Sequence, residues 1–298
     1  MGGLDGAVVL RAGAWTAQVM PHWGMNMVSL RVDGRPVLRE PDSMQTLSES
    51  PFLYGIPLLF PANRTANGRF CFDGTTYQLP VNEPAFGNHL HGLMYNAPFA
   101  VVHASETAVV AVYENMGDRY PFPFRMQITD RLDETGMTRT LMLTNTGLSP
   151  MPYTMAFHTA FCEPQRFRAE IGIRHERSAS YVPTGRTAPL NDAEAQYLTG
   201  ICPKGLAVSG CYTASGPSAQ LDDILFEMSD GFDQRVLFNA GGNAGFLCIE
   251  PQAGMVNGLN MPNGHKLLEA GGQHHYSISI REVTRRAAST RPAGQPDG

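Results

Sequence analysis

The chain has 298 residues, of which 43% are hydrophobic and only 16% charged, with a net charge of −5. A composition so rich in apolar residues can bury a large core, which excludes a disordered chain. Its few lysines and arginines are scattered, so it offers no clustered basic face for nucleic acid or a membrane surface.

Five cysteines, Cys71, Cys162, Cys202, Cys211 and Cys248, sit at irregular spacing with no CxxC pair. They read as reduced thiols behaving as small hydrophobes, without a zinc or redox motif. There is no apolar run of membrane-spanning length, and no basic segment leading into an apolar one at the start. The expectation is a cytoplasmic protein.

Taken in chain order, the patterning is that of strands. Candidates are Ala7–Arg11, Trp15–Met20, Met27–Val32, Phe70–Leu79 and Ala108–Tyr113. In Phe124–Thr129 every second residue is apolar, and Met137–Thr144 and Phe246–Glu250 follow. Near the end, Tyr276, Ile278 and Ile280 alternate with Ser277, Ser279 and Arg281. Asp33-Gly34, Asp73-Gly74 and Asn145-Thr146-Gly147 follow or join these runs as hairpin connections do. The best helical stretch, Asp192–Leu198, is short. These features predict an all-β chain, a large antiparallel β-sandwich forming one domain over residues 1–283. Residues 284–298, rich in Arg, Ala, Pro and Gly, read as a disordered tail.

Four segments place polar residues in apolar surroundings. The run from Gly55 to Ala62 ends abruptly in Asn63-Arg64; a solvent-facing strand end explains that equally well. In Asn88-His89-Leu90-His91-Gly92 two histidines two apart on extended chain point the same way and could hold a metal, but no third ligand is signalled, and structural histidines account for them. His158 stands alone in the aromatic strand Tyr153–Phe161, either as a core histidine or as an acid–base group titrating near neutral pH. Glu250 ends an apolar strand. Because Pro251 cannot continue a central ladder, Glu250 is expected at a sheet edge or rim. Burial there would raise its pKa towards that of a general base.

In this order the segments resemble one family. The pattern G-x-P-x-L-F-P, N-R, G-x-F, G-x-x-Y-x-L is met from Gly55 to Leu79, L-H-G at Leu90–Gly92, and P-x-x-x-x-F-H-x-x-F at Pro152–Phe161. E-P with a later N falls at Glu250, Pro251 and Asn257. Together they resemble the aldose 1-epimerases and their hexose-phosphate epimerase relatives, over roughly residues 7–283. The resemblance implies the mutarotase-like supersandwich. It implies catalytic roles for His158, Glu250 and His91, and sugar binding by Arg64 and Asn63. A sugar-binding aspartate falls on Asp223, in Asp223-Ile224-Leu225-Phe226, with Asp222 as the alternative. The chain departs from the family after Gly92, where Leu93-Met94-Tyr95 follows with Phe99 near the usual Trp, and at His158-Thr159-Ala160-Phe161, where H-P-Y-F is frequent.

The implied reaction is interconversion of the α and β anomers of an aldose by ring opening and closure. Glu250 serves as base and His158 as acid on opposite sides of a pocket, while His91 and Arg64 orient the sugar. Phe60, Phe157 and Tyr153 are candidate apolar lining. No cofactor or metal is expected, and the partner is a small sugar, with neither nucleic acid nor membrane involved. Two other readings stand. A hexose-6-phosphate 1-epimerase would take its phosphate cradle from Arg174, Arg177 or Lys266, and a non-catalytic carbohydrate-binding sandwich would leave Glu250 and the histidines without purpose.

Overall fold

Alternation of buried and open residues is the signature of a strand with one face inward, and Phe124–Asp133 shows it along its whole length. It is one of 14 strands in an antiparallel sheet. From the edge strand Ala100–Ala104 the order runs through Ala108–Asn115, Phe124–Asp133, Gly136–Asn145, Gln273–Glu282, Ile224–Met228, Ser209–Leu221, Gln234–Phe238 and Phe246–Ala253. It ends on Met155–Phe157 and Leu58–Leu59, with Thr159–Cys162 also paired to Phe246–Ala253. The computed structural model describes residues 4–283, and the segment 284–298 read as a tail lies outside them.

A second sheet of four strands, Val8–Ala12, Trp15–Met20, Asn26–Val32 and Arg35–Pro36, packs over Phe124–Asp133. One apolar cluster, running in sequence from Leu10 to Ile280, is shared by both sheets. The fold is therefore the large antiparallel β-sandwich that the alternation predicts. Among the described residues no helix is long and apolar enough to cross a membrane.

Turn chemistry explains two of the hairpins. Asp33-Gly34 and Asp73-Gly74 all have positive φ, the backbone of a two-residue turn matching strand twist. Asp73-Gly74 thus splits Phe70–Leu79 into the hairpin Arg69–Phe72 and Thr75–Gln78. Asn145-Thr146-Gly147 is no such hairpin. The Asn145 side chain accepts from the Gly147 amide and donates to the Ser149 and Leu268 carbonyls, tying a longer loop together. The one longer helix, Asp192–Thr199, starts at a capping box formed by Asn191 and Glu194. A shorter one, Met44–Glu49, has no apolar period that would announce it.

One buried ion pair links the large sheet to the chain leading to the site. Arg139 and Asp130 face each other across adjacent strands, both fully buried, with Nε–Oδ1 at 2.7 Å. Nη2 also donates to Asp130 Oδ2 and to the Met25 carbonyl, at 2.8 and 2.6 Å, and Nη1 to the Ile56 carbonyl at 2.9 Å, so each of the three buried nitrogens has an acceptor.

Candidate active site

The strand Phe246–Ala253 is buried at every position because it is flanked on both sides. Gln234–Phe238 pairs along one side; Thr159–Cys162 and then Met155–Phe157 pair along the other. Glu250 is therefore not at a sheet edge. Pro251 is tolerated in a central strand because the neighbouring ladder is interrupted there. Thr159 opposes Ile249 and Ala156 opposes Gln252, and between them the His158 amide turns away to the Pro57 carbonyl at 2.9 Å.

The same register puts His158 beside Glu250. His158 Nε2 stands 3.3 Å from Glu250 Oε1, and the two residues are 4% and 1% exposed. They are side by side, Glu250 on its strand and His158 in the break between Met155–Phe157 and Thr159–Cys162, rather than on opposite walls. Glu250 Oε2, His158 Nδ1 and His91 Nδ1 have no hydrogen-bond partner among the described residues. Three buried polar atoms without protein partners in one place form an unusual grouping for a core.

His91 arrives from a different part of the chain. Arg64–Ala66 pairs with Asn88–Leu90, and the His91 amide donates to the Asn63 carbonyl at 2.8 Å. Asn63 and His91 both lie in the left-handed region, at φ 55° and 65°. Gly92 follows at φ 69°, where a Cβ would stand 1.9 Å from the Phe60 carbonyl oxygen, so only glycine fits. This backbone turns His91 away from His89, contrary to the expectation for two histidines on extended chain. His89 is buried elsewhere with Nδ1 2.7 Å from the Pro80 carbonyl. The His91 ring meets that of His158 edge-on, centroids 5.2 Å apart, and Phe52 covers it at 4.4 Å.

A cleft of about 560 Å³ opens above these groups and is lined by Asn63, Arg64, His91, His158 and Glu250. The structure thus brings together five of the six residues singled out in the sequence. Asp223, the sixth, is elsewhere. It sits in the tight turn between Ser209–Leu221 and Ile224–Met228, its carboxylate 3.0 Å from Arg35 in an exposed ion pair. Asp222 does not replace it, since its carboxylate caps the Gln165 and Arg166 amides. Both aspartates lie in this hairpin turn, outside the lining of the cleft.

The lining differs from expectation as well. Phe60, Phe157 and Tyr153 are core residues, and the apolar wall is made by Phe52, Leu53, Val236, Leu237 and Phe238. Of the three candidate phosphate-binding cations only Arg177 reaches the cleft. Arg174 lies 3.7 Å from Glu194, and Lys266 pairs with Asp233 at 3.1 Å. Glu83, Tyr181 and Phe52 carry no sequence signal, yet all three contact Arg64 or His91.

Burial sets the electrostatics. It pushes the Glu250 carboxyl up to about 8, with the Arg64 charge pulling weakly the other way. It pulls His158 down to about 4, and His91 goes well below the ordinary imidazole value through burial and then the neighbouring His158 and Arg64. At neutral pH the Glu250–His158 pair therefore holds one proton and no net charge, which a low-dielectric site favours. Cys211, also lining the cleft, is pushed up to about 11 by burial and stays a thiol. Among the described residues no three His, Cys, Asp or Glu side chains group as metal ligands.

Fold and cleft together define a β-sandwich protein with a buried carboxyl–imidazole pair at the floor of a cleft. The family model for aldose 1-epimerase matches residues 7–223, and the chain belongs to that family. The match includes His91 and His158, while Glu250 lies beyond its end. The structure is similar to that of a galactose mutarotase-like protein from Clostridium acetobutylicum, with TM-score 0.86 and 22% identity, covering 93% of this chain and 95% of that one. It is also similar to galactose 1-epimerase from Lactobacillus acidophilus NCFM, with TM-score 0.73, 14% identity, and 92% and 93% coverage. Among curated proteins, the uncharacterized protein YphB of Escherichia coli (strain K12) is 30% identical over 105 residues, 35% of this chain and 36% of the relative. The uncharacterized protein YihR of the same strain is 29% identical over 113 residues, 37% of each. Both alignments span little more than a third of the relative.

Proposed function

We propose that the protein interconverts the α and β anomers of an aldose, with Glu250 as the base and His158 as the acid. The observation that carries this reading is the 3.3 Å contact between two buried groups, one imidazole and one carboxyl, at the floor of a cleft. The anomeric hydroxyl oxygen and the ring oxygen of an aldose are bonded to the same carbon. Two groups standing side by side, as Glu250 and His158 do, can therefore reach both oxygens.

Ring opening removes the proton from the anomeric hydroxyl, forms the C1 carbonyl, breaks the bond from C1 to the ring oxygen and delivers a proton to that oxygen. The pair needs one proton to do this, and it carries one. In the free protein that proton rests on Glu250, and passing it to His158 across their contact creates the carboxylate and imidazolium that begin the reaction. Closing on the other face of the carbonyl reverses each transfer. His91, kept neutral, and Arg64 supply hydrogen bonds that orient the sugar, and Phe52 offers its face to the C–H side of the ring.

A purely binding sandwich gives no reason to bury a carboxyl so far from its ordinary pKa. A phosphosugar epimerase is less well supported, because a phosphate would find Arg177 as its one cation not already held by a carboxylate among those lining the cleft. The test is NMR of anomer exchange across a panel of neutral aldoses and their 6-phosphates. Catalysed exchange of a neutral aldose supports the reading, and a protein that speeds none of them removes it.

A further inference from the structure

The inference concerns Glu83 and rests on the proposed sugar chemistry of the same cleft. Arg64 Nε lies 2.9 Å from Glu83 Oε2 and 3.2 Å from Oε1, and Nη2 lies 2.7 Å from Oε1. This is the two-pronged grip that a planar guanidinium makes with a carboxylate. Its setting is half-closed, with the side chains 19% and 14% exposed. The grip is itself held, because Asn88 Nδ2 donates to Glu83 Oε2 at 2.8 Å and to the Ser180 carbonyl at 3.1 Å. From the other side the Tyr181 ring covers the Arg64 guanidinium at 4.9 Å, and Phe86 meets that ring edge-on at 5.2 Å. Two loops that share no pattern in the sequence therefore clamp one side chain. Nη1 is the nitrogen left over; its nearest partner, Asn63 Oδ1, is at a long 3.4 Å.

We propose that Glu83 is the positioning and specificity-determining residue of the cleft. It fixes Arg64 so that Nη1 is presented to a sugar oxygen, and it cancels the Arg64 charge so that an uncharged aldose is selected over its phosphorylated or carboxylated counterpart. The other charges lining the cleft, Arg177 and Glu49, are opposite in sign, so Glu83 decides whether the cleft is neutral or cationic. Glu83 touches no substrate in this account. It acts through Arg64.

Three variants separate reach from charge. Glu83→Gln removes the balancing charge and one strong acceptor; KM for a neutral aldose should rise about tenfold, the equivalent of one loosened charged hydrogen bond, with kcat changed much less. The ratio of kcat/KM for the 6-phosphate to that for the free sugar should rise by a similar factor. Glu83→Asp keeps the charge and loses the reach, so KM should rise while the ratio stays near wild type. Tyr181→Leu removes the ring that covers Arg64 and, at 5.7 Å, Arg177 while leaving every charge in place; it should raise KM with the ratio near wild type, as Glu83→Asp does, and serves if a Glu83 variant does not fold. A folded Glu83→Gln protein with KM and ratio both within twofold of wild type overturns the proposal, as does a Tyr181→Leu protein whose KM is unchanged.

An activity-free arm keeps this distinct from the failure of the proposed function. Among the described residues the charged or titratable groups around Glu250 are His158, His91, Arg64 and Arg177 in the cleft, Cys211 from Ser209–Leu221, and Cys248 on its own strand. With Arg64 left unbalanced, the Glu250 carboxyl, read by infrared difference against Glu250→Gln, should titrate at lower pH in Glu83→Gln. A wild type that exchanges no anomer counts against the enzyme reading alone. An unmoved Glu250 titration counts against Glu83.

Discussion

Replacing Glu250 by glutamine should stabilise the fold at neutral pH, and by an amount that depends on pH in a defined way. Burial raises this carboxyl from an ordinary 4.5 to about 8. Between those values the unfolded chain releases the proton and the folded protein keeps it, so stability is lost as pH rises from about 4.5 to about 8. At 1.36 kcal/mol per pH unit, the loss reaches about 3 kcal/mol at pH 7 and grows little beyond pH 8. Glutamine has nothing to release and so avoids the whole term, while its amide keeps the carboxyl's shape. His158 is common to both proteins, so its own cost on acidification cancels in the comparison. Urea unfolding of the two proteins from pH 4 to pH 9 should give a difference near zero at the acid end. It should favour Glu250→Gln by about 3 kcal/mol at pH 7. A difference independent of pH, or a variant less stable than wild type at pH 7, would refute the reasoning that Glu250 is held protonated.

Three further outcomes follow from the same geometry. The kcat/KM profile should be bell-shaped, falling below about 4, where His158 takes a second proton, and above about 8, where Glu250 loses the only one; a flat profile across pH 8 contradicts the one-proton pair. Asp223→Asn should leave kcat/KM unchanged and cost at most about 1 kcal/mol, since it breaks only an exposed pair with Arg35, and a large loss of activity would return Asp223 to the site. Dialysis against a chelator should leave activity intact, and a loss restored by one added metal ion would overturn the metal-free reading.

Much of the fold is legible in the sequence because a half-buried strand writes its burial into every second residue, as Phe124–Asp133 and Gln273–Glu282 do. Positive-φ turns at Asp33-Gly34 and Asp73-Gly74 are legible for the same local reason. What the sequence does not show depends on distant neighbours. Pro251 points to a sheet edge only if the adjacent ladder is continuous, and the break at His158 belongs to another strand. His89 and His91 share a side only on extended chain, and the left-handed turn at His91 is imposed by the approach of Gly92 to Phe60. Asp223 satisfies a spacing that a hairpin turn satisfies equally well. Glu83, Tyr181 and Phe52 lie in loops without periodicity, and their importance is visible only in what they touch. His158, Glu250, His91, Arg64 and Asn63 are legible through the succession of motifs that resembles the aldose 1-epimerases; taken singly, each reads as well as a structural residue.

The central claim is that Glu250 and His158 together move the protons of anomer exchange. The most direct measurement is NMR exchange between the α and β anomers of a neutral aldose, with wild type and Glu250→Gln compared at pH 7 and a melting curve taken for each. The account predicts catalysed exchange by wild type and a loss of about 10²–10⁴-fold in the variant, the worth of one positioned base, with sugar affinity little changed. A folded Glu250→Gln protein that keeps more than about a tenth of the wild-type rate would contradict it, because a rate so close to wild type leaves no room for Glu250 as the base.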